Sequence, residues 1–132
     1  MPLRPPTSRE PIHRRAIQID GYRREDGLFD IEATLADTKS YAFNRYDGTT
    51  LHPGDRLHGM AMRLTIALDF RIMAVEAAMD DTPYDTCPGA VPQLDRLVGL
   101  RIGRGFLREV AERIGGAQGC THLRELLAQM AT

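Results

Sequence analysis

Serine is nearly missing from this sequence: Ser8 and Ser40 are the only two, and neither sits in the glycine-flanked turn that exposes a hydrolase nucleophile. That leaves little support for serine-hydrolase chemistry. An excess of charge of one sign is missing as well. A formal charge of -1 at pH 7 creates no field for gathering nucleic acid or an anionic membrane, so neither is an expected partner. No window approaches the length of a membrane span, and "MPLRPPTSREPIHRR" has no apolar stretch of the secretory kind. A cytoplasmic location is therefore expected. Lysine is reduced to Lys39, the other 16 basic residues being arginine, a bias that says little about function. Cysteine is limited to Cys87 and Cys120, and a disulfide between them is not expected in a reducing compartment.

What is present is a chain of 132 residues, 42% hydrophobic and 27% charged, enough to bury a core without a bridge. We read residues 1–132 as one domain. Residues 1–11, with Pro2, Pro5, Pro6 and Pro11, form an extended arm, residues 12–80 are mainly strands, and residues 88–131 are mainly helices.

The strand half is read from period two. Two segments flank Asp26-Gly27, a dipeptide suited to a tight hairpin turn. In the second, Phe29, Ile31, Ala33 and Leu35 share one face while Asp30, Glu32 and Thr34 share the other. A short strand in "YAFNRY" precedes Asp47-Gly48. The clearest alternation runs Met60, Met62, Leu64, Ile66, Leu68, Phe70, and "RIMAVEAAMDD" is its return partner, with helix left open for residues 73–79. Met60, Met62, Met73 and Met79 read as core fillers on these two strands.

Beyond "TPYDTCPGA" the period lengthens. Leu94, Leu97 and Val98 fit a short helix before Gly99, and Phe106, Val110 and Ile114, with Leu107 and Ala111, fit a second ending at Gly115-Gly116. Leu123, Leu126, Leu127 and Met130 fit a third. Strands first and helices last predict an α+β fold, an antiparallel sheet with about three helices on one face.

The chemistry-bearing residues gather at element ends. Cys120 and His122 open the last helix in "GGAQGCTHLRELLAQM", with Thr121 as a half-written cap because Arg124 stands where Glu or Gln would complete it. A helix start stabilises a thiolate and improves Cys120 as ligand or nucleophile; the alternative is a small buried cysteine beside a surface histidine. Cys87 occupies a second loop-to-helix junction, and His58 precedes the strongest strand, with His52 on the loop before it. His58, Cys87, Cys120 and His122 together would make a zinc or iron site if those ends meet.

A second polar group is formed by Asp30 and Glu32, either paired carboxylates, alone or with Asp37 and Lys39, or a solvated strand face. Arg23 and Arg24 offer a clamp for carboxylate or phosphate. "GLRIGRGF" follows a helical pattern and lacks a following Lys-Ser/Thr, so it is a helix stop and restart, not a phosphate loop.

The run from His58 to Met130 resembles the iron–sulfur cluster scaffold proteins of the IscU and NifU N-terminal type. "HGMAMRL" stands at the first ligand element with His58 in place of cysteine, "PYDTC" at the second with Cys87, and "GCTHLRELL" at the third with Cys120. That resemblance implies an iron–sulfur cluster or a remodelled metal pocket. The whole chain also resembles a bacterial domain family of unknown function, number 2889, in "HRR", "GYRREDGLFDIEATLADTK", "HGMAMRLTI", "EAAMDDTPYDTCPGA", "LVGLRIGRGF" and "GCTHL". It implies no activity.

Two readings follow. The first is a metal-binding protein, zinc or iron–sulfur, with His58, Cys87, Cys120 and His122 as ligands. The second is a small enzyme acting on a carboxylate or acyl substrate, with Cys120 as thiolate or a metal-bound water as nucleophile, and Glu32, Arg24 and His122 positioning the substrate. A homodimer or a protein partner is compatible with both. A third reading, a non-catalytic interaction protein with buried thiols, carries no site.

Overall fold

The computed structural model describes residues 1–81, 87–116 and 120–132, with the backbone alone at residues 87, 88 and 90. Strands β1 (His13–Arg23) and β2 (Phe29–Lys39) pair in unbroken antiparallel register from His13 opposite Lys39 to Arg23 opposite Phe29. Their connection turns at Asp26-Gly27, where Gly27 has φ 85°, a left-handed position that costs glycine nothing. After β2 a two-residue pair, β3 (Phe43–Asn44) and β4 (Thr50–Leu51), stands apart as its own small hairpin. Strands β5 (Arg56–Ile66) and β6 (Ile72–Asp81) complete a four-stranded sheet in the order β1-β2-β5-β6.

Residues 73–79, where helix remained open, are strand. The hairpin before them turns at residues 67–70, closed by hydrogen bonds from Phe70 N to Ala67 O and from Ala67 N to Arg71 O, each 2.9 Å. The long alternation therefore stops at Ile66, and Leu68 and Phe70 are turn residues, 78% and 57% exposed. Phe70 takes φ 68°, a left-handed conformation that costs an L-residue about 1–2 kcal/mol and that hairpins of this length usually assign to glycine.

A 3-10 helix (Cys87–Leu97) lies against β6, followed by α1 (Phe106–Ile114) and α2 (Thr121–Met130), so the order of strands then helices gives the α+β arrangement expected from the periodicities. The chain after the 3-10 helix is stitched to the start of β6 by Gly99 N to Ile72 O and Ile72 N to Leu100 O, each 2.8 Å. Ala33, Leu35, Met60, Met62, Leu64 and Ile66 form the sheet side of the core, and Phe106, Val110, Ile114, Leu123, Leu126, Leu127 and Met130 form its helical side.

Four expected core positions differ besides Leu68 and Phe70. Val98 falls in the turn after the 3-10 helix, Leu107 and Ala111 lie off the buried stripe of α1, and Met73 lies on the face of β6 away from the core, so all four are exposed. Residues 1–11 are exposed and carry no regular structure, as proline at four positions predicts.

Candidate metal centre

The same-face row one step beyond the apolar core is polar. Along β2 the core face is marked by Phe29, Ile31, Ala33 and Leu35, and the next residue in that phase is Asp37, 1% exposed. Along β5 the phase of Met60, Met62 and Leu64 leads back to His58, which lies inside the strand and is 9% exposed. Strand register sets Arg15 opposite Asp37 and Asp37 opposite His58, so three charged or ionisable side chains form one rung across β1, β2 and β5.

Arg15 grips Asp37 with both ends of its guanidinium, Nε to Oδ1 and NH2 to Oδ2, each 2.8 Å. Its third nitrogen reaches Glu125 on α2 at 3.4 Å, so one arginine ties the helix to the sheet beside the site. His13 adds a Nε2 to Oδ1 approach of 3.8 Å. Burial alone would raise the Asp37 pKa, but the hydrogen bonds and charge of Arg15, with His58 and His13 adding to them, hold it below the ordinary 3.8. Asp37 is therefore a carboxylate at neutral pH.

The first turn of α2 brings His122 over His58. The two rings lie 4.0 Å apart at an interplanar angle of 35°. Nδ1 of His58 is 2.9 Å from Oδ2 of Asp37, a close polar contact that lies off the line of a straight N–H···O bond. Burial pushes the His58 pKa below 6.5, His122 pushes it the same way, and Asp37 opposes both. The ring is neutral at pH 7 and keeps a nitrogen lone pair available.

One ligand atom each from Asp37, His58 and His122 falls within a 4.8 Å cluster. A carboxylate has about four lone-pair sites, so Asp37 can hold Arg15 and still offer a site to an ion. Two imidazoles and one carboxylate suit a zinc or iron(II) ion, and three protein donors leave positions open on it.

Of the sequence-selected residues, the structure brings His58 and His122 together. Cys120 precedes His122 as the residue capping α2, a free thiol half-buried against the core, with no side-chain hydrogen bond to the helix. Thr121 is thus the first helical residue, not the cap. Among the described residues Cys120 is not in the Asp37–His58–His122 cluster. Cys87 opens the 3-10 helix, and its side chain lies outside the described residues. Glu32 stands on the opposite face of the sheet in a rung with Arg63 and Glu76, at 2.7 and 2.6 Å. Arg24 is at the β1–β2 turn, bonded to Asp26 at 2.6 Å and near Asp30 at 3.4 Å. Asp30 in turn accepts from the Thr65 hydroxyl at 2.8 Å, so Asp30, Glu32 and Arg24 are engaged away from the two histidines.

From sequence, Asp37 is read only as a companion of Asp30 and Glu32 in a polar site, and Arg15 is not singled out. The signal for both was parity: Arg15 is in phase with Ile17 and Ile19, and Asp37 with Leu35. No helix among the described residues is long and apolar enough to cross a membrane.

A family model described as "Protein of unknown function (DUF2889)" matches residues 13–132. No curated protein and no solved structure matches the chain.

Proposed function

The chain belongs to the DUF2889 family, whose description carries no activity, and we propose from its own residues that it binds one divalent transition-metal ion through Asp37, His58 and His122. The observation that carries this reading is the convergence of three donor groups from three different elements, the buried Asp37 and His58 and the half-buried His122, within 4.8 Å of one another. A metal ion held between them would engage the carboxylate and both imidazoles at once. Arg15 and His13 would then act on the ion through Asp37, fixing the carboxylate as outer partners of metal ligands do.

The described donor set contains no thiolate, and iron–sulfur clusters are held by thiolates. It therefore favours a single zinc or iron(II) ion over a cluster. A cytoplasmic location fits the free thiol of Cys120.

A second reading, an enzyme, is favoured by the donor count. Three protein ligands leave room for water or a substrate carboxylate or carbonyl, and a bound ion makes such a water a nucleophile. The test is elemental analysis of tag-free protein with cobalt(II) titration followed by visible absorption. Near one ion per chain and intense tetrahedral cobalt bands, both lost in His58→Gln and His122→Gln, are expected. Retention of metal in both variants, or no binding by the wild type at micromolar metal, would overturn the assignment.

A further inference from the structure

The inner face of the sheet extends beyond its helical cover. Along β1 the rung of Arg15 is followed in the same phase by Ile17, Ile19, Gly21 and Arg23, so Arg23 lies eight residues, roughly 27 Å, from the polar rung. At that far end a cleft of about 540 Å³ opens between the sheet and the β5–β6 turn. Tyr22, Phe29, Ile66, Leu68 and Phe70 give it an apolar lining, and Arg23 lines it too. Gly21 lines it as well, in open space where an added Cβ would have no neighbour within 4 Å.

Two features mark the cleft as more than a gap. Phe70 adopts the left-handed conformation that glycine would take without strain, and its ring is still 57% exposed beside Leu68 at 78%. The strained residue thus presents an aromatic surface to the cleft without gaining burial of its own. Arg23 supplies the second feature. Its neighbour Arg24 is bonded to Asp26 and close to Asp30, whereas Arg23 has no ion pair among the described residues. The carboxylate in the lining, Asp30, is already engaged by Thr65 and Arg24.

We propose that this cleft binds a hydrophobic carboxylate, its ring or chain lying against Phe29, Ile66 and Phe70 and its carboxylate paired with the guanidinium of Arg23. An apolar wall with one unengaged planar cation is the complement of such a molecule, since guanidinium and carboxylate match in a two-pronged fork. The site is separate from the metal centre, at the other end of the sheet, and does not depend on it.

The chain has no tryptophan, so naphthalene fluorescence can be read without interference from indole. Fluorescence anisotropy titrations of 2-naphthoate and of the neutral 2-naphthylmethanol, both with EDTA present so that no metal-bound carboxylate is counted, test the proposal. Saturable naphthoate binding at least tenfold tighter than the alcohol is expected. Arg23→Gln should remove that preference, and Phe70→Gly should weaken both ligands at least fivefold while its melting temperature stays level or rises. Absence of saturable binding, equal affinity for acid and alcohol, or an Arg23→Gln variant that keeps the preference would overturn the carboxylate site. Unchanged binding in a folded Phe70→Gly protein would overturn the placement of the apolar body.

Discussion

Arg15 and Asp37 face each other across β1 and β2 and share two hydrogen bonds of 2.8 Å, the arginine 37% exposed and the aspartate 1%. The asymmetry decides what each substitution does. Removing Arg15 leaves a buried carboxylate facing only imidazoles, so Arg15→Gln should lower unfolding stability by about 2–3 kcal/mol, less than for a fully buried pair because the guanidinium is partly solvated. Urea unfolding at pH 7 measures it. Asp37→Asn should cost less, because it removes the buried charge together with the pairing.

Acid should weaken the protein in two stages. His58 has its folded pKa lowered, so its contribution is complete above the ordinary 6.5 and is lost as pH falls from there toward the lowered value. Asp37 is also lowered, so its contribution is complete above 3.8 and is lost as pH falls through its folded value. In both cases the unfolded chain binds more protons, and stability rises with pH. Urea midpoints between pH 8 and pH 5, measured with a chelator, should fall in the wild type, and the fall should be smaller in His58→Gln.

Cys120 and His122 are two residues apart but differ in what they reach. Cys120→Ser should leave metal stoichiometry unchanged, whereas His122→Gln should reduce affinity at least tenfold with little change in fold, since His122 is only half-buried. Competition titration against a chromophoric chelator separates the two. Metal loss in Cys120→Ser would instead restore the thiol to the ligand set.

Gly59 follows His58 where the register between β5 and β6 shifts. A Cβ there would lie 2.5 Å from Oδ2 of Asp81 and 3.2 Å from the Arg56 guanidinium, two side chains paired at 2.8 Å. Gly59→Ala should therefore displace that pair and lower stability by about 1 kcal/mol, a modest cost because both groups are the ends of movable side chains. Thermal unfolding reports it.

Much of this fold was legible along the chain because alternation is local. Phe29 to Leu35 and Met60 to Ile66 reveal strands without reference to anything distant, and Leu123 to Met130 reveals a helix by the same logic. A turn near Asp69 to Arg71 was legible, but its geometry and its start at Ala67 were not, since Phe70 occupies the position that glycine would have announced. At the candidate site His58 and His122 were recoverable by residue type and by lying near element ends, although His58 is the third residue of β5 and not, as expected, the residue before the strand. Asp37 was obscured by the acidic residues around it, although its phase with Leu35 places it inward.

The sequence alone determined the order of strands and helices, their buried faces and the presence of two histidines at helix and strand starts, because each depends on spacing within a dozen residues. Tertiary structure decided the partners. Strand register aligned Arg15, Asp37 and His58 across 43 positions of chain, and packing of α2 laid His122 over that rung. No local pattern specifies which rung a helix start will cover; the apolar stripe of α2, seating Leu123, Leu126 and Leu127 in the core, fixes it.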